Sequence, residues 1–268
     1  MNFWSKNLEL LIKSRTSLIW IKTIEEERLE KILNLSCERL GIKRFVCWDC
    51  VRGITGVLNE EGRFSNNPLG ILNWLKEQGS DLSTVLLLKD FHKFYEDPSI
   101  NRTIKDLSSA LKETTHNLII SSHLLPKSEE LEELMTTLNL PLPNQEELKN
   151  LIKKIAINTF SNLSDQDLSQ IAMASSGLTE IKVKQVTARA LTQRGKISKE
   201  DIQDILEEKK QVIARSEVLE FFETKSSQDD IGGLKILKIW LNQRFRAFSK
   251  EAREYGLPIP KGVLLVGP

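Results

Sequence analysis

Cysteine, histidine and glycine-rich loops are all scarce in the first two hundred residues, and each shortage removes a class of function. The 268 residues contain three cysteines, which make no disulfide framework and fit a reducing compartment. There are three histidines, with no H-x-x-x-H pair and no G-x-S-x-G, so neither a helical zinc motif nor a nucleophile elbow has support. No apolar run approaches the roughly 20 residues of a membrane span. Met1-Asn2-Phe3-Trp4-Ser5-Lys6 lacks the plan of a secretory signal or a transit peptide. An excess of either charge is also missing. With 38 basic and 37 acidic residues, the net charge of +1 gives no overall case for nucleic acid or an anionic membrane surface.

What is present is an ordinary globular composition, 40% hydrophobic and 28% charged, sufficient for a sizeable core. Ser17-Leu18-Ile19-Trp20-Ile21 reads as a buried strand. Thr23 and Glu26 have the spacing of a capping box for a helix carrying Ile24, Leu29, Ile32, Leu33 and Leu40 and ending at Gly41. Further strands are expected at Arg44–Trp48, Thr84–Leu88, Asn117–Ser122 and around Met135 to Leu140. An irregular Gly- and Asn-rich segment precedes a short helix from Leu69 to Gln78. Other helices are expected from Ile100 to Lys112 and from Ser128. Strands alternating with helices imply a parallel sheet with helices on both faces, an α/β architecture.

After Leu140-Pro141-Leu142-Pro143 the pattern turns wholly helical. Leu148, Leu151, Ile152 and Ile155 line one helix, and Ser164 with Asp167 opens the next, which ends at Gly177. A third runs from Thr179 to about Arg194. Ser198 with Asp201 opens a fourth, with Ile202, Ile205, Leu206, Val212 and Ile213 as its buried stripe. The expected division is therefore an α/β part over 1–143, a helical lid-like part over 144–214 and a linker over 215–230. A further unit occupies 231–268 and begins with a helix carrying Leu234, Leu237, Leu241, Phe245 and Phe248.

The end of the chain is the most specific stretch. A turn with Pro258 and Pro260 feeds the short apolar strand Val263–Val266, and Gly267-Pro268 begin a turn. A phosphate-binding loop follows such a strand, because its backbone N–H groups and the next helix N-terminus form an anion site. Only the first Gly of that loop is present here. Asp229-Asp230-Ile231-Gly232-Gly233-Leu234, Tyr255-Gly256-Leu257-Pro258 and Lys261-Gly262-Val263-Leu264-Leu265-Val266-Gly267-Pro268 resemble the start of an AAA+ ATPase module. In that superfamily the D-I-G-G turn lies beside adenine, and G-x-L-L-x-G-P-P-G-T-G-K follows. The whole chain resembles the plastid-encoded and cyanobacterial branch, in which a degenerate module precedes the active one. Leu140-Pro141-Leu142-Pro143-Asn144-Gln145-Glu146-Glu147 is similar to the junction between the superfamily's two subdomains. The resemblance implies a P-loop-NTPase-like sheet, a helical small subdomain and then the start of a second module.

Residues 1–214 depart from an active module at each position the resemblance marks. No glycine precedes Lys22-Thr23, and Glu25, Glu26 and Glu27 occupy the first helical turn, where they complement the helix dipole and repel a triphosphate. Lys89-Asp90 stands where the superfamily has Asp-Glu, and a cation in the first position cannot serve magnesium. Ser121-Ser122 ends the strand that elsewhere carries a γ-phosphate sensor, and Gly177-Leu178-Thr179 lacks the expected Arg. Together these imply a non-hydrolysing module, and no catalytic or metal-binding residue is assigned.

The site residues implied for an intact second module are Asp230, Ile231, Gly232 and Gly267, all nucleotide-adjacent. The cofactors implied for the longer parent are ATP and Mg²⁺, and its partners a homo-oligomeric ring and an unidentified protein client. The compartment implied is the cytoplasm or the plastid stroma. A non-catalytic docking protein is the alternative. A third reading, a thiol redox or metal protein, rests on Cys47-Trp48-Asp49-Cys50, but this C-x-x-C ends a strand instead of opening a helix. Phe91-His92-Lys93-Phe94-Tyr95 mixes aromatics with base, as a nucleic-acid stacking surface does; the neutral chain favours a half-buried loop. Glu129-Glu130-Leu131-Glu132-Glu133 reads as a solvated helix face.

Overall fold

The computed structural model describes residues 3–79, 81–126, 129–159, 161–214, 232–248, 252, 255–257 and 262–263. Two compact units divide the chain, Met1–Gln211 and Val212–Pro268.

In the first unit, six strands form one sheet among the described residues: β1 (Leu18–Lys22), β2 (Arg44–Asp49), β3 (Gly53–Thr55), β4 (Thr84–Lys89), β5 (Asn117–Ser122) and β6 (Thr136–Asn139). Their order is β3-β2-β4-β5-β1-β6. Every pairing is parallel except that of β2 with β3. The sheet is covered on both faces, and its inner strands are therefore continuous apolar runs. Alternate residues serve opposite faces, as the two-residue period of a strand requires. Leu18, Trp20, Val46, Trp48, Leu86, Leu88, Leu118 and Ile120 share one core with Ile71, Leu72 and Leu75 of helix α3 (Pro68–Lys76) and Ile104, Leu107 and Leu111 of α4 (Pro98–Leu111). Ile19, Ile21, Cys47, Val85, Leu87 and Ile119 share the other with Leu8 and Ile12 of α1 (Phe3–Lys13) and Leu29, Leu33 and Cys37 of α2 (Glu26–Leu40).

Several sequence expectations need correction here. Helix α2 begins at Glu26, and Thr23 does not cap it. The Thr23 hydroxyl instead accepts from the Glu25 N–H at 2.9 Å, making a local turn, and Ile24 points into solvent. The irregular segment contains β3, held by Gly53 at φ 70°, where an added Cβ would meet the Arg63 carbonyl at 2.4 Å. Strand β3 is too short to carry a periodic signal. Helix α1 was not anticipated from the sequence. The Glu-rich segment forms α5 (Glu129–Glu132), and its Leu131 is buried in the core.

The helical part comprises α6 (Gln145–Asn158), α7 (Asp165–Ser175), α8 (Glu180–Arg194) and α9 (Asp201–Ala214). Asn144 with Glu147 and Ser164 with Asp167 make full capping boxes, each satisfying backbone donors that the helix start leaves open. Thr179 caps α8, accepting from the Lys182 N–H at 3.3 Å. In α9 the expected apolar stripe is incomplete. Ile205 is buried, whereas Ile202, Leu206, Val212 and Ile213 are only half-buried, and Asp201 and Glu208 take buried positions. Charge pairing makes that burial possible: Arg194 binds Asp201 and Asp204, and Lys182 and Arg189 bind Glu208 at 2.7 and 3.3 Å.

In the second unit, α10 (Lys235–Phe245) continues into a single 3-10 turn over Arg246–Phe248. The helix expected from the sequence with Leu237, Leu241 and Phe245 is present, but no residue of α10 is buried, and Leu234 and Phe245 are exposed. Strand Val263–Val266 lies outside the described residues except for Val263. No helix of the described residues is long and apolar enough to cross a membrane.

Candidate functional site

In parallel α/β sheets, ligand sites lie beyond the carboxyl ends of the strands, where the strand order reverses. Here that point is β1. It sits between β5 and β6, while its own chain leaves through α2 towards β2 on the far side of β5. Hydrogen bonds draw the strand ends together: Thr23 N–H donates to Ser122 O at 2.8 Å, Leu140 N–H to Lys22 O at 3.1 Å, and Asp90 N–H to Ser121 O at 2.9 Å. A cavity of about 360 Å³ opens at this edge, lined among others by Lys22, Thr23, Glu25, His123, Leu142 and Thr179. Its walls come from β1, from the β6–α6 connection and from the start of α8. The sequence positions compared with a nucleotide site, Lys22-Thr23, Lys89-Asp90, Ser121-Ser122 and Thr179, therefore do converge.

The groups found at this edge are carboxylates and a buried guanidinium. Glu25, 4% exposed, accepts from the backbone N–H of Glu180 at 2.5 Å with one oxygen and from Arg28 Nη1 at 3.0 Å with the other. It thus places a negative charge at the amino end of the 15-residue helix α8, where a phosphate would be favoured in other proteins. Arg28 also donates to Pro141 O at 2.6 Å and to Glu147 Oε2 at 3.0 Å. One side chain therefore joins α2, the Leu140–Pro143 connection and α6. Chemically the arrangement is an internal ion network; residues of this kind do not fit a triphosphate, since Glu25 already fills the helix terminus with its own charge.

At the ends of β4 and β5, Lys89 is 7% exposed and pairs with Glu30. Burial pushes the Lys89 ammonium below its ordinary range, opposed by Glu26 and Glu27. Burial raises the Glu26 carboxyl, and neighbouring Asp90 raises it further. Ser122 Oγ accepts from Trp20 Nε1 at 2.9 Å, while Ser121 Oγ is buried without a hydrogen-bond partner. Phe91 is buried, and Phe91 and Phe94 pack edge-on against Trp48. These rings face the core, so the 91–95 segment is no stacking platform.

Of the histidines, read in the sequence as scattered, two are brought together. The His92 and His123 rings lie 4.8 Å apart, perpendicular, beside Asp90. Sequence spacing hid this because the strand ends that carry them are neighbours only in the sheet. Cys37 and Cys47 are buried, and burial pushes both thiols up to about 12, the opposite of an activated thiolate. Of the residues expected beside a nucleotide in the second unit, Gly232 is exposed with no atom within 4 Å of where its Cβ would be; Asp230, Ile231 and Gly267 lie outside the described residues.

Comparison with known proteins adds the family. The model of the SpoVK-like AAA ATPase N-terminal domain matches residues 4–140. That of the SpoVK-like AAA ATPase second domain matches residues 146–216. The "Uncharacterized AAA domain-containing protein ycf46" of Guillardia theta is 34% identical over 262 residues, covering 98% of this chain and 52% of that protein. Its counterpart in Gracilaria tenuistipitata var. liui is 36% identical over 266 residues, covering 98% of this chain and 54% of that protein. The chain thus spans about half the length of these curated relatives. Among solved structures, C. elegans PCH-2 superposes with a TM-score of 0.52 at 11% identity, over 78% of this chain and 67% of that one, a likeness of fold alone. The match across the α/β and helical parts together places this chain among the SpoVK-like AAA ATPases.

Proposed function

We propose that this chain is the amino-terminal part of a longer AAA ATPase. Residues 1–214, as an α/β part over 1–143 and a lid-like part over 144–214, form a non-hydrolysing module for assembly or partner binding. Residues 215–230 link it to a second module that starts at 231, and there the intact protein binds ATP·Mg²⁺, in the plastid stroma or cytoplasm, and hydrolyses it to remodel a protein client within a homo-oligomeric ring. Asp230, Ile231, Gly232 and Gly267 are the nucleotide-adjacent positions of that second module.

The observation that carries this reading is Glu25. A carboxylate is held at the start of α8 by a backbone N–H and by Arg28, in the place where a nucleotide-binding module needs room for phosphate. Its charge both repels a triphosphate and ties the two parts of the module together without one. The test is ATP turnover by the full-length protein. Gly267→Arg is expected to abolish turnover and Lys22→Ala to leave it unchanged. Loss of turnover on Lys22→Ala, with Gly267→Arg active, overturns the assignment.

A further inference from the structure

Asp90, His92 and His123 present their ligand atoms within 4.8 Å of one another, and neither the expected ATPase chemistry nor the Glu25–Arg28 network uses them. Asp90 directly follows β4, with φ 50° and ψ 25°, a left-handed backbone that few residues adopt without a local reason. That conformation starts the 3-10 turn over Phe91–Lys93 and turns the Asp90 carboxylate towards His92 Nδ1, 3.6 Å away. His92 is only 9% exposed in its side chain, yet Nδ1 is buried without a hydrogen-bond partner. A polar atom in that state costs free energy unless something satisfies it. His123, just past the end of β5, meets His92 edge-on and also lines the 360 Å³ cavity.

The geometry points to a site for a divalent first-row transition cation, zinc foremost, held by Asp90, His92 and His123. Two imidazoles and one carboxylate suit zinc, and three protein ligands leave a fourth position open. Tetrahedral zinc with bonds of about 2.0–2.1 Å sets neighbouring ligand atoms roughly 3.3 Å apart. The Asp90–His92 separation of 3.6 Å is close to that value already. Side-chain rotation of exposed His123 brings in the third ligand. The fourth position is left for water. Of the cations nearby, Lys89 pairs with Glu30, and Lys93 acts on His92 against the Asp90 carboxylate, which leaves Asp90 as the ligand that offsets the metal's charge. The site differs from a nucleotide-bound magnesium site in its ligands, which include nitrogen, and in needing no phosphate. It is independent of the proposed ATPase function.

The test is titration of the untagged, chelator-stripped 268-residue chain with Co²⁺, read by visible absorption and followed by displacement with Zn²⁺. One equivalent is expected to bind saturably, with a nitrogen–oxygen spectrum lacking thiolate charge transfer. His123→Ala and Asp90→Asn are each expected to weaken binding at least about tenfold, since even outer-shell partners cost that much. Both variants should fold, because His123 is exposed and Asn tolerates the left-handed backbone at position 90; circular dichroism checks this. The absence of saturable binding overturns the site. So does binding unchanged in both variants, or a thiolate band that disappears in Cys50→Ser.

Discussion

Arg28 is buried and donates to three oxygen acceptors, Glu25, Glu147 and the Pro141 carbonyl, while Glu25 in turn accepts from the Glu180 N–H at the start of α8. Removing one partner of a buried ion pair costs far more than the pair contributes, because the remaining charge is stranded. Arg28→Met is therefore expected to lower stability by about 3 kcal/mol or more in urea unfolding, and Glu25→Gln/Arg28→Met to recover part of the loss. A loss below about 1 kcal/mol in the single variant would contradict the buried network. The cysteines make the opposite point. With Cys37 and Cys47 raised to about 12 by burial, a maleimide at neutral pH should label only Cys50 in the folded chain, as read by peptide mass spectrometry. Rapid labelling of Cys47 would restore the C-x-x-C as a thiol site. Glu25 and Lys89 were legible in the sequence as departures from the pattern of an active module. Their partners were not, since Glu180 is distant in sequence and meets Glu25 only once α8 packs at the strand ends.

At the scale of elements, the strongly patterned pieces could be read directly. Strands β1, β4 and β5 are apolar runs because helices cover both faces, and the capping boxes at Asn144 and Ser164 declare their helices by side-chain chemistry alone. Where tertiary context decided, the sequence misled: Thr23 has the capping spacing, but its hydroxyl is taken by the Glu25 N–H and the helix opens after Glu25. In α9, ion pairs bury Asp201 and Glu208, which no hydrophobic period could show. Strand β5 carries a further consequence at its amino-terminal end, where His116 is 1% exposed. Burial holds its imidazole below the ordinary value of 6.5, so the folded chain binds that proton less readily than the unfolded chain. Stability from this group is complete above pH 6.5 and falls as pH drops through 6.5 towards the depressed folded value. Urea midpoints taken from pH 7.5 down to about 5 should decline, and less steeply in His116→Phe. A slope identical in the variant would assign the decline to other groups.

For the whole molecule, the AAA membership and the α/β-then-helical order were legible because they rest on long patterned stretches and on motif phrases. The strand-end site was only half legible: the missing glycines could be read, but not the Glu25–Arg28 network that meets the start of α8. In the second unit the motif residues Asp230, Ile231 and Gly267 lie outside the described residues. The claim on which the rest depends is that the first module keeps its phosphate position for its own carboxylate. Calorimetric titration of MgATP into the 268-residue chain tests it most directly. No saturable binding is predicted, in the chain itself or after Lys22→Ala. Saturable binding that Lys22→Ala weakens would show that the strand-end cavity accepts nucleotide, and that the Glu25–Arg28 network opens to admit it.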